Sequence, residues 1–188
     1  MVNRINVEKL VAKIISESGD DSKRSGLKST PERVAKLFEE MLSGYSLSLK
    51  KVVEGSLFDT NLDDMIVIKD IEFYSLCEHD LTPFFGSVHV GYIPEGKIIG
   101  LSKIPKVIEI FSKRLQVQEN LTNEISNALD STISPHGLGV VIKAKHTCSI
   151  IRGKNFSSSN LTTSSMHGSF RSNLNTRQEF LSHIQSKS

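Results

Sequence analysis

Two short clusters hold the residues best suited to chemistry: Cys77-Glu78-His79-Asp80 and His146-Thr147-Cys148. Each places a thiol within three residues of an imidazole, and both are expected at strand ends. Zinc accepts thiolate, imidazole and carboxylate ligands, and a catalytic zinc keeps three protein ligands and one open position. Cys77, Cys148 and one further donor would satisfy that count. His146 and Cys148 are two apart, so an extended backbone turns both to one face. Cys77 and Asp80 are three apart and need a turn, which Leu81-Thr82-Pro83 is suited to follow. No paired C-x-x-C pattern is present. On spacing alone, a metal pair and two buried thiols with incidental histidines explain the pattern equally well.

The elements that position these clusters follow from periodicity. Val7, Leu10, Val11, Ile14 and Ile15 fall on one helical face. A polar loop runs from Ser18 to Lys28. A second helix begins with Thr30 as N-cap and Pro31 in the first turn, carries Val34, Leu37, Phe38 and Met41 as its stripe, and stops near Gly44. Met65 to Glu72 and Phe84 to Ile93 read as strands. A Pro94-Glu95-Gly96 turn then sends Lys97 to Leu101 back to pair. One long helix is predicted from about Pro105 to Thr132. Gly137 to Ala144 alternates as a strand, with Thr147 to Ile151 as its continuation or partner. Thr162 to Phe170 reads as a further strand and Asn175 to Ile184 as a closing helix. Ser157 to Ser159 reads as a short loop. Strands in adjacent pairs with helices before and between them predict an α+β domain, antiparallel, with helices on one face. No linker or repeat divides residues 1–188: residues 1–50 read as an N-terminal helical extension and 62–188 as the core.

The chain has 188 residues, 38% hydrophobic and 23% charged, which is enough for one real core. A formal charge of +2 argues against a general nucleic-acid surface. No apolar run approaches the roughly 20 residues of a membrane span, and residues 1–12 lack a signal-peptide core. A cytoplasmic protein is expected, with no nucleic-acid or membrane partner. In a reducing cytosol its two cysteines are not expected to form a disulfide.

Several segments in order resemble the GTP cyclohydrolase I family. They are Thr30-Pro31-Glu32-Arg33-Val34-Ala35, Ser75 to His79 with Leu81-Thr82-Pro83-Phe84, and Gly86, His89, Gly91-Tyr92 and Pro94. Gly100-Leu101-Ser102-Lys103, Arg114 to Glu119, His146-Thr147-Cys148, Arg152-Gly153 and Asn175 to Leu181 continue the match, which spans about residues 27–184. The resemblance implies the tunnelling fold, an antiparallel four-stranded sheet with two helices on one face. It implies conversion of GTP and water to 7,8-dihydroneopterin triphosphate and formate, with water attacking purine C8. Cys77 and Cys148 match the family's thiolate ligands for Zn2+, and His79 and His146 its acid/base histidines. Glu119, with Gln118 beside it, matches the guanine acceptor. Ser102, Lys103 and Arg152 match triphosphate contacts. Lys106 stands where the family commonly has arginine, which keeps charge but loses a bidentate fork. Relatives form homodecamers with sites between subunits. The wide separation of the clusters along this chain is what a pocket built between subunits would require.

Asp80 departs from the family, whose Cys-Glu-His-His segment supplies the third metal ligand as its second histidine. Three readings stand. Asp80 ligates the metal, leaving two thiolates and a carboxylate at −1 and shifting preference slightly towards another divalent ion. Or the site binds metal poorly, and the chain is a GTP-binding paralogue with little turnover. Or the fold acts on a related purine or pterin. His89 and His136 read as structural, and His167 has no assigned role.

Overall fold

The computed structural model describes residues 2–153 and 160–185; the expected loop at 157–159 lies outside them. Helix α1 (Arg4–Glu17) is capped by Asn3, whose side-chain oxygen accepts the Asn6 N–H at 3.1 Å. Helix α2 (Thr30–Met41) packs against it. Its N-cap is Ser29, so Thr30 opens the helix one residue earlier than expected. Only Val7, Val11 and Ile15 of the expected α1 face are half-buried, at i, i+4 and i+8. Leu10 and Ile14 are 61% and 67% exposed, because a single partner helix covers only a narrow stripe. Gly44 sits in a 3-10 turn (Ser43–Ser46) after α2.

The rest comprises α3 (Leu49–Val53), β1 (Leu57–Asp59), β2 (Ile66–Cys77), β3 (Pro83–Ile93), β4 (Lys97–Ile99), α4 (Lys103–Ser112), β5 (Leu115–Gln116) and α5 (Gln118–Ile133). Then follow β6 (Gly137–His146), α6 (Thr147–Arg152), β7 (Leu161–Gly168), α7 (Ser169–Ser172) and α8 (Leu174–Gln185). The main sheet has the order β5-β2-β3-β6-β7 and is antiparallel except for the short parallel pairing of β5 with β2. Alternation builds the core. Phe84, Val88, Val90 and Tyr92 of β3 and Leu138, Val140, Ile142 and Ala144 of β6 point to one face, where Ile104, Val107 and Ile108 of α4 and Leu121, Ile125 and Leu129 of α5 close over them. The class is α+β, as the alternation and helix stripes predict.

Three local expectations are corrected. The long helix is broken at Lys113–Val117, where Leu115 and Gln116 pair with Leu76 and Cys77. A two-residue strand is too short to disturb a helical apolar pattern, so the break was hidden. Lys97–Ile99 pairs with β1, not with β3, because the Gly96 turn at φ 75° carries the chain off the main sheet. Thr147–Arg152 is helical, not extended. The second face of the sheet is also covered at one end, by Phe170, Phe180 and Ile184 against Val141. Gly91 and Gly139 make room there: a Cβ at either would lie 2.6–2.9 Å from the phenylalanine rings.

His89 is 2% exposed on this second face. β2 slips register between Ile68 and Ile71, and Asp70 takes φ 60° there. The Asp70 N–H donates to His89 Nδ1 at 3.1 Å, so the ring is held neutral with its proton on Nε2, 3.4 Å from Ser87 Oγ. Burial pushes the His89 pKa below the usual 6.5; Asp70 opposes this, and Lys143 and Lys69 reinforce it. The unfolded chain therefore takes up a proton at His89 before the folded one does. That stability is present above 6.5 and is lost as pH falls towards the folded pKa. Urea unfolding at about pH 7.5 and about pH 5.5 should show a loss of stability that is smaller in His89→Gln. Equal losses in both proteins would rule out a buried neutral His89.

Candidate active site

Strand register brings the chemical residues together. Leu76 pairs with Pro83, Phe84 with His146, and Cys77 with Gln116. The Cys77 turn, the β6–α6 junction and the start of α5 therefore meet at one end of the sheet within a single chain. Their separation in sequence does not by itself need a second subunit. The turn is closed by the Cys77 N–H on the Thr82 carbonyl at 2.8 Å and the Leu81 N–H on the Cys77 carbonyl at 2.9 Å. The Thr147 hydroxyl donates to the Pro83 carbonyl and ties α6 to the same end.

A cavity of about 390 Å³ lies there, lined by Cys77, His79, Val117, Gln118, Glu119, His146, Cys148, Ser149, Asn160 and Leu161. The His146 ring stacks on Phe84, centroids 4.7 Å apart and planes 7° off parallel. Burial lowers the His146 pKa, partly offset by the Glu119 carboxylate. Glu119 is exposed in the first turn of α5, where a carboxylate also meets the positive end of the helix. A second hollow of about 370 Å³ shares His79, Cys148 and Ser149 and adds Asp80, Arg152 and Gly153.

α6 explains this arrangement better than the expected strand. Cys148 and Arg152 are i, i+4 on one helical face. Cys148 reaches the Cys77 sulfur and Arg152 binds Asp80 Oδ1 across the turn. Burial raises the Cys77 pKa, the backbone N–H groups of His79 and Asp80 lower it, and the adjacent Cys148 raises it again. His79 Nδ1 is 3.5 Å from Cys77 Sγ.

Not every expected site residue joins the cavity. Gln118 is fully buried beneath His146, with its amide hydrogens donated to Ile142, Leu161 and Thr163. Lys103 Nζ donates to the Val52 carbonyl at 2.8 Å. Ser102, Lys103 and Lys106 line neither hollow. Ser102 and Lys103 lie at the start of α4, about 15 Å by helix rise from its end beside β5. Asn160, Ser149, Leu161 and Val117 line the cavity without any spacing signal to reveal them. Thr163, a partner of Gln118, is equally silent in sequence, whereas Thr122 stands four residues after Gln118 on the same helix.

Two free, neighbouring thiols suit a soft divalent ion. Burial and Cys148 hold Cys77 towards the thiol, the two backbone N–H groups at its turn oppose this, and a bound cation would favour the thiolate that ligates it. Among the described residues no group of three or more His, Cys, Asp or Glu side chains is gathered as a ready metal cluster. Asp80 is the nearest carboxylate along the turn, and one of its oxygens is held by Arg152.

The model of the family described as GTP cyclohydrolase I matches residues 7–185. This chain belongs to the GTP cyclohydrolase I family. Among similar proteins, the GTP cyclohydrolase 1 of Leptospira biflexa is 47% identical over 182 residues, 97% of this chain and 100% of that protein. Those of Methylococcus capsulatus and Campylobacter jejuni are 48% and 46% identical, over 96% and 95% of this chain and 98% and 94% of theirs. A solved structure, the archaeosine synthase QueF-Like in the apo form, covers 55% of the chain at TM-score 0.47 and 17% identity, a partial likeness only. No helix among the described residues is long and apolar enough to cross a membrane.

Asp80 couples two charges that a histidine in its place would leave separate. Asp80→His should bind zinc at least about 10-fold more tightly in chelator competition, because a neutral donor replaces a carboxylate already engaged by Arg152. It should also lower the KM for GTP by freeing that guanidinium. Unchanged zinc binding would show that position 80 lies outside the metal's shell, and weaker binding that the carboxylate is the better donor there.

Proposed function

We propose that the chain is a GTP cyclohydrolase I, converting GTP and one net water to 7,8-dihydroneopterin triphosphate and formate. The observation that carries this reading is the convergence of two thiols, two imidazoles and Glu119 on one cavity. Glu119 accepts the N1–H and 2-amino hydrogens of guanine and so orients the ring. His79 and His146 move protons at the purine nitrogens as the imidazole ring opens at C8 and formate leaves. Zn2+ held by Cys77, Cys148 and Asp80 would supply a more acidic water. Two thiolates and a carboxylate leave a divalent ion at −1, and Arg152 on Asp80 returns the sum to zero.

The triphosphate contacts are proposed to come from two chains: Arg152 beside the cavity, and Ser102, Lys103 and Lys106 from a neighbour. On this reading the chain works as a homo-oligomer, a homodecamer by family resemblance, in the cytosol. The exposed Leu10, Ile14 and Leu101 are consistent with such packing. Lys103→Ala and Glu119→Ala should each be nearly inactive. Co-refolded in equal amounts, they should recover about one quarter of wild-type activity by random pairing across interfaces. No recovery would place both groups on the same chain's site.

The direct test is anaerobic incubation of the purified protein with GTP and zinc, following the ultraviolet spectrum of the pterin product. The Asp80–Arg152 pair, which engages the carboxylate a metal would need, favours one second reading, a subunit that binds GTP with little turnover. GTP bound but unchanged would establish the second reading over the first.

A further inference from the structure

Gln118 is a polar side chain in a fully buried position, and every hydrogen-bonding atom of its amide has a partner. Its Nε2 lies 3.1 Å from the Ile142 carbonyl, 3.1 Å from the Leu161 carbonyl and 3.0 Å from Thr163 Oγ1. Its Oε1 lies 2.8 Å from His146 Nε2. Which end is nitrogen follows from the surrounding protons. The Thr122 hydroxyl donates to the Gln118 backbone carbonyl at 2.7 Å, which uses its only hydrogen. In the 2.7 Å contact between Thr122 and Thr163, the donor must then be Thr163. Thr163 Oγ1, its own hydrogen used, can only accept from the Gln118 amide. An inverted amide would set its oxygen against two carbonyls and a hydroxyl with no hydrogen left, each an uncompensated buried acceptor.

The direction of the chain is therefore closed, and only Oε1 is left to face His146. An oxygen without hydrogen can only accept, so the proton of the neutral ring sits on Nε2. Phe84 stacked on the ring limits its rotation. We propose that Gln118 is a positioning residue: it holds His146 in the Nε2–H tautomer, so that Nδ1 is the proton-accepting atom of the ring that lines the cavity. The inference rests on the reading of His146 as an acid/base group, and departs from a direct substrate contact by Gln118.

The test is nitrogen NMR on the full chain labelled at histidine, at a pH where the ring is neutral, with His146 assigned by comparison with His146→Gln. The wild type should show a pyrrole-type signal at Nε2 and a pyridine-type signal at Nδ1. The reverse pattern, or a mixture, overturns the proposal whether or not any variant folds. Gln118→Met fills the same space without an acceptor and should give mixed tautomers. Its kcat on GTP should fall roughly 10- to 100-fold with KM nearly unchanged. A raised KM with a single, unchanged tautomer would make Gln118 a substrate contact instead. The NMR readout needs no turnover, so failure of the GTP reading and failure of this assignment are told apart.

Discussion

The site depends on the pairing of β3 with β2 on one side and β6 on the other. A shift of one residue would turn alternate side chains to the opposite face. His146 would then leave the ring of Phe84, and the thiol-bearing turn would lose its place opposite α6. The apolar alternation of both strands against α4 and α5 makes that shift costly, since it would expose Val88, Val90, Val140 and Ile142 together. The chemistry is therefore held in register by a core that takes no part in it.

From that end of the sheet a polar network runs inward rather than outward. β5 is only two residues long, yet it halts the helical path so that α5 restarts with Gln118 under the sheet and Glu119 in the open. Neighbours in sequence thus take opposite environments. The buried one is fixed by backbone carbonyls of β6 and β7, and the exposed one is left free to meet a ligand. Rigidity under the pocket and polarity within it come from one helix start.

The sequence was most legible where pattern and composition carry long-range information. The strands Phe84–Ile93 and Gly137–Ala144, the closing helix and the two cysteine clusters follow from alternation, helical stripes and residue chemistry. What stayed hidden is set by partners. Leu115–Gln116 is a strand only because Leu76–Cys77 lies beside it. Lys97–Ile99 found Leu57–Asp59, a three-residue partner with no periodicity of its own. Thr147–Ile151 has β-branched residues that suit a strand, but no strand among the described residues pairs with it, and a helical turn brings Cys148 to Cys77. Gln118 looked like a substrate contact because its neighbour does; its burial depends on Thr163, 45 residues away.

Asp80 shows how one charge spreads through such geometry. A histidine at that place in the turn carries no charge when neutral and would not need Arg152. An aspartate does, and α6 supplies the guanidinium on the same face as Cys148. The pair is only partly shielded, with Asp80 19% and Arg152 71% exposed, so its own contribution to stability is small. Its effect on charge at the site is larger. An arginine bound to a carboxylate is a weaker partner for a phosphate, and a carboxylate bound to an arginine is a weaker donor to a metal. On the proposed reading, the metal end and the phosphate end of the site share one ion pair, and a ligand that draws on either must change the other.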